Sequence, residues 1–189
     1  MEKKNSELVL EDNSNKVIEA FFEILSLKNL FRQGWLKNGV ERKFCESVAD
    51  HSFSTAMLAW LLAEEYFPNL DTSKIIKYSL IHEIGEIYAG DITPDDNTTD
   101  IEKFKLEFVS VKRVFDKLTN GEKYIKLWEE FEHSKNKEAK FVKQIDRLEM
   151  AFQAHFYENT LDMNLQDFKD SAKKVLTEEI LKELLESIK

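Results

Sequence analysis

The chain has 189 residues, a formal net charge of -9 and one cysteine. Its length favours one domain with a substantial core. The 42% apolar and 12% aromatic content excludes a disordered chain, and an acidic balance without a long basic run argues against a nucleic-acid partner. Five glycines and two prolines are too few turn residues for a many-stranded sheet, so the composition points to helices joined by short loops.

Residues 1–13 are polar and read as a flexible leader ahead of one helical domain over 14–189. They contain no apolar core of a signal peptide. A first amphipathic helix is expected from Ser14 as N-cap, marked by Val17, Phe21, Ile24, Leu25 and Leu27. Residues 29–45, with Gly34 and Gly39, read as an ordered loop. A second helix begins near Asp50, carries Phe53, Met57, Trp60, Leu61 and Tyr66, and stops at Pro68. Its stretch Ala56–Ala63 is the longest apolar run, far short of the roughly 20 residues that span a membrane.

Asp71 or Thr72 caps a third helix, with Ile75, Ile76, Leu80, Ile81 and Ile84 expected on its buried side, and Gly90 and Pro94 bracket the break after it. Phe104, Phe108, Val111 and Phe115 mark a helix over 101–118 as core residues. Helical patterns continue over 121–133, 137–160 and about 165–188. Cys45, with no cysteine partner and no motif around it, is expected to be a buried bystander in a reducing compartment, which makes the cytoplasm the expected location.

The chemistry concentrates on histidines beside carboxylates. Asp50-His51 and His82-Glu83 both stand in apolar surroundings, where an acidic group is costly unless paired or bound to metal. His82 and Glu86 at i and i+4 are expected on one face of the third helix, while Glu83 could reach an ion lying at that helix's end. Asp146 stands in an amphipathic helix among core-type residues. His133, after an acidic run, is expected to be exposed and His155 to be structural.

Taken in order, five segments resemble the HD-domain superfamily, most closely its 5'-deoxynucleotidase subgroup. They are Arg32-Gln33-Gly34-Trp35, Glu46-Ser47-Val48-Ala49-Asp50-His51, His82-Glu83-Ile84-Gly85-Glu86 with Gly90-Asp91-Ile92, Trp128-Glu129-Glu130-Phe131-Glu132, and Lys143-Gln144-Ile145-Asp146-Arg147-Leu148-Glu149. The resemblance implies an all-α, single-domain helical bundle that releases phosphate from (deoxy)ribonucleoside 5'-monophosphates. The alternatives are another HD-type hydrolase, acting on cyclic nucleotides or nucleoside triphosphates, and a catalytically weak nucleotide-binding domain. It further implies one divalent ion (Mn, Co, Zn, Fe, Ni or Mg) on His51, His82, Glu83 and Asp146, with Glu86 and Asp91 as the catalytic acidic pair. Arg32 and Trp35 would meet the nucleotide substrate, and the chain would form a homodimer. One departure stands out: the superfamily's His-Asp doublet is here His82-Glu83, one methylene longer.

Overall fold

The computed structural model describes residues 15–188, and among these the chain forms ten α-helices. In chain order they are α1 (Lys16–Ile24), α2 (Gln33–Lys37), α3 (Val48–Tyr66), α4 (Thr72–Ile81), α5 (Glu86–Ala89), α6 (Asp100–Phe115), α7 (Gly121–Glu132), α8 (Lys137–Leu161), α9 (Gln166–Val175) and α10 (Glu179–Ser187). Short 3-10 turns occupy Leu25–Asn29 and Pro94–Asp96. The only extended pairing among the described residues is an isolated antiparallel bridge between Phe31 and Ser47. The all-α expectation holds. The leader and Ser14 lie outside the described residues; α1 is capped by Asn15, whose side chain accepts from the Val17 amide.

Two compact units organise these helices. One runs up to Asp50 and resumes over Ile81–Glu129. Its core gathers Ala20, Leu27, Val48, Ile81, Ile84, Val111, Val114, Phe115, Ile125 and Trp128. Phe104 and Phe108 complete it in part, with their rings 5.8 Å apart and stacked, and Phe104 lies 5.5 Å from the Trp128 ring. The expected aromatic stripe of α6 is therefore core.

The other unit comprises His51–Leu80 and the chain from Glu130 onward. Here α8 is the spine, burying Phe141, Val142, Ile145, Leu148, Ala151 and Ala154, and α9 and α10 pack against it. The expected last helix is in fact two. Gln144 Oε1 accepts the Thr177 and Glu178 amides at 2.6 and 3.1 Å, which satisfies the donors at the start of α10 and fixes the break.

Two expectations about buried faces reverse. In α3 the small residues Ala56, Ala59 and Ala63 are buried, whereas Phe53 is 64% and Leu61 61% exposed, with Met57, Trp60 and Tyr66 also exposed. Small side chains let neighbouring backbone come close, and α3 turns that face inward. Leu80 of α4 is likewise exposed, as are Val17 and Phe21 of α1. Apolar identity alone did not tell which of two apolar faces is covered.

Candidate active site

The segment after α4 departs most from its sequence reading. The helix ends at Ile81, and residues 82–85 form a turn closed by tight backbone bonds, Ile84 to Ile81 at 3.1 Å and Glu86 to Glu83 at 3.1 Å. His82 and Glu86 therefore do not share a helix face. Instead Glu83 is on a turn between two helix ends, a position from which adjacent residues can aim at one point.

Three contacts fix this turn within its own unit. The buried Trp128 indole donates to the His82 carbonyl at 3.3 Å. The Tyr88 amide donates to Ser110 Oγ at 3.1 Å. Gly85 lies hard against α6: a Cβ there would meet the Glu107 Cβ at 2.6 Å, so only glycine admits this approach. Gly90 leaves the turn region at φ 85°, a left-handed conformation that costs glycine little.

The turn assembles carboxylates around one guanidinium. Arg32 donates to Asp91 Oδ1 at 3.0 Å and to Glu83 Oε1 at 3.3 Å, and Glu86 Oε1 lies 4.0 Å away. The Gln33 amide also donates to Asp91. Glu86 is 1% exposed, and its Oε2 has no hydrogen-bond partner among the described residues. Burial first, and then the neighbouring Glu83 and Asp91 charges, push its pKa well above the ordinary glutamate range. Lys103 of α6 pairs with Glu107 at 3.4 Å, and its ammonium is held charged by Glu107, Glu83 and Glu86 against the cost of burial. Lys103 and Glu107 were not singled out in the sequence; the signal available was their i, i+4 spacing with Ser110 nearly a turn further on.

The other unit holds the second histidine. His51 is on the first turn of α3, fully buried, with Nε2 3.0 Å from Asp146 Oδ1 and Nδ1 2.7 Å from Glu149 Oε2. Its neighbour Asp50 has a different task. The Asp50 carboxylate accepts from the Ser47 amide and hydroxyl at 2.9 and 2.7 Å, and its own amide donates back to Ser47 Oγ at 3.2 Å. This reciprocal cap starts α3.

Trp35, expected to meet the substrate, is in the interior of its unit. It is 2% exposed, and its indole donates to Glu46 Oε1 at 2.7 Å. Cys45 is buried, and burial with the Glu46 and Asp91 charges lifts its thiol to about 11. His133 is exposed, as expected.

Among the described residues, two sets of side chains could hold a metal ion, each residue offering one ligand atom: His51, His82, Glu83 and Asp146, and Glu46, His51 and Glu149. The first set is the one the sequence singles out. Two imidazoles and two carboxylates suit a borderline divalent ion.

A family model described as "HD domain" matches residues 24–185. The chain belongs to the HD-domain family. Among curated relatives of this HD-domain chain, 5'-deoxynucleotidase HDDC2 of Dictyostelium discoideum is 38% identical over 166 residues, covering 81% of this chain and 86% of that protein. Human 5'-deoxynucleotidase HDDC2 is 36% identical over 77% of this chain and 71% of its own length. Among solved structures, a conserved hypothetical protein from Pyrococcus furiosus superposes with a TM-score of 0.75 at 32% identity, covering 90% of this chain and 98% of its own. A predicted metal-dependent phosphohydrolase from Magnetospirillum magnetotacticum gives 0.73 at 25% identity, over 92% and 89%.

Proposed function

We propose that this HD-domain chain is a metal-dependent 5'-deoxynucleotidase that releases phosphate from (deoxy)ribonucleoside 5'-monophosphates. The observation that carries the reading is Glu86: a fully buried carboxyl 4.0 Å from Arg32, three residues after an imidazole–carboxylate doublet. The relatives named as 5'-deoxynucleotidases support the substrate class.

His51, His82, Glu83 and Asp146 are the ligands of one divalent ion in this reading, and its identity among Mn, Co, Zn, Fe, Ni and Mg stays open. Bound there, such an ion supplies Lewis acidity to the phosphoryl group and lowers the pKa of a coordinated water. The remaining work falls to the chain. Arg32, already tied to Asp91 and Glu83, offers donors to the phosphate oxygens. Glu86, whose burial among Glu83 and Asp91 favours its protonated form, is the donor to the departing 5'-oxygen in this reading. Asp91, fixed by Arg32 and the Gln33 amide, orients the attacking water. Trp35 acts through Glu46 and not on substrate.

The chain works as a homodimer in the cytoplasm in the same proposal. The exposed Phe53, Met57, Trp60 and Leu61 of α3 support a second copy as partner, and the lone buried thiol supports a reducing compartment. No helix among the described residues is long and apolar enough to cross a membrane.

The test is phosphate release from ribo- and deoxyribonucleoside 5'-monophosphates after chelation and after each metal is restored, with Glu86→Ala alongside. Metal-dependent release lost in the variant is the expected result. Release from none of them under any metal, by a protein that still binds the ion, would overturn the reading. Light scattering of the native chain and of Trp60→Glu tests the dimer; a monomeric native chain removes it.

A further inference from the structure

His51 has a carboxylate on each ring nitrogen, and both come from one helix. Asp146 Oδ1 lies 3.0 Å from Nε2, and Glu149 Oε2 lies 2.7 Å from Nδ1. Asp146 and Glu149 stand at i and i+3 on α8, so they project from adjacent positions of one face. The two carboxylates differ in surroundings: the Asp146 side chain is 18% exposed and the Glu149 side chain 6%. A buried imidazole whose Nδ1 donates to a carboxylate is locked in ring orientation and keeps the Nε2 lone pair for another bond.

We infer that Glu149 is a positioning residue: its carboxylate accepts the Nδ1–H of His51, holding the ring in the tautomer and orientation that aim Nε2 at the ion. The inference rests on the metal reading proposed above. The second candidate set is Glu46, His51 and Glu149. In that set one Glu46 oxygen accepts the Trp35 indole and one Glu149 oxygen stands at His51 Nδ1. Carboxylates in this role are strong orienters because the buried, charge-assisted bond leaves the ring little freedom. Glu149 lies three residues beyond Asp146, so α8 delivers a ligand and the orienter of a second ligand from less than one turn.

The experiment uses the full chain. After chelation, affinity for Mn is measured by titration for the wild type, Glu149→Ala and Glu149→Gln. The ring tautomer of His51 is read from nitrogen-15 spectra of the Zn-loaded wild type. Glutamine keeps an acceptor of nearly the same reach, whereas alanine removes it. The expected result is a drop of roughly 10–100-fold in affinity for alanine, largely restored by glutamine, with Nδ1 carrying the proton in the wild type. A wild-type spectrum with Nδ1 unprotonated overturns the inference without any variant, so a Glu149→Ala chain that fails to fold does not shelter it. Unchanged affinity in a folded Glu149→Ala, or equal losses in both variants, also overturns it while leaving the nucleotidase reading intact. A wild type that binds no ion removes both.

Discussion

The turn over residues 82–91 and the helix α8 each contribute an imidazole or carboxylate to the candidate ion site, and they are built on opposite principles. In α8, Asp146 and Glu149 ride on a 25-residue helix with Ile145 and Leu148 buried beside them. Their positions follow from a regular backbone. In the turn, His82, Glu83 and Glu86 are held one at a time, by the Trp128 indole, the Arg32 guanidinium and the close approach of Gly85 to α6. On the helix a side chain's position follows from its neighbours in sequence, whereas on the turn it depends on contacts from remote residues.

The sharpest way to break this comparison is to exchange side-chain length on both elements. Asp146→Glu should lower turnover about 100-fold, since a displacement of the order of 1 Å costs that much where the frame cannot yield. Glu83→Asp should change it by less than about tenfold. Equal losses in a steady-state assay would show that the turn is as rigid as the helix.

Next comes Glu86→Gln. Turnover should fall on the order of 100-fold with the loss of a proton donor, while the melting temperature of the chelated protein stays level or rises. The sign follows from its raised pKa. Between the ordinary glutamate range and the raised value, the folded state holds a proton that the unfolded state has released, so stability there declines as pH rises. Glutamine removes that dependence. A lower melting temperature across that range would contradict it.

Gly85→Ala should destabilise by about 1–3 kcal/mol through overpacking against Glu107, a shift of roughly 2–4 °C per kcal/mol in a thermal melt. Glu107→Gly, which removes the clashing Cβ, should cost less in the Gly85→Ala chain than in the parent; equal costs would place the strain elsewhere. The smallest effect belongs to Asp50→Ala, which removes the reciprocal cap of α3 at about 1 kcal/mol. Manganese affinity should be nearly unchanged, in contrast with any variant of the adjacent His51.

The same contrast separates what the residues disclosed from what they withheld. Ile145 and Leu148 flank Asp146 at helical spacing, so α8 and its buried side were readable, as were the aromatic stripe of α6 and Asp71 as cap of α4, which accepts the Lys74 amide at 3.1 Å. The residues His82 to Glu86 continue the apolar rhythm of α4 through Ile84, and Gly85 is the one local sign that the helix ends nearby. The stop depends on Trp128 and Glu107, which are remote in sequence. The surroundings of Trp35 and Phe53 were unreadable for a related reason. Burial of an aromatic is a property of what covers it, and the chain places Trp35 in the interior while leaving Phe53 outside.

The cap formed by Ser47 and Asp50 sets the phase of α3. His51 lies four residues past Ser47, and each residue added or removed between them would turn the imidazole by about 100° round the helix axis. Changes of chain length between Trp35 and Cys45, upstream of that origin, leave the angle untouched. The few residues from Ser47 to His51 therefore behave as a fixed ruler, whatever the length of the loop before them.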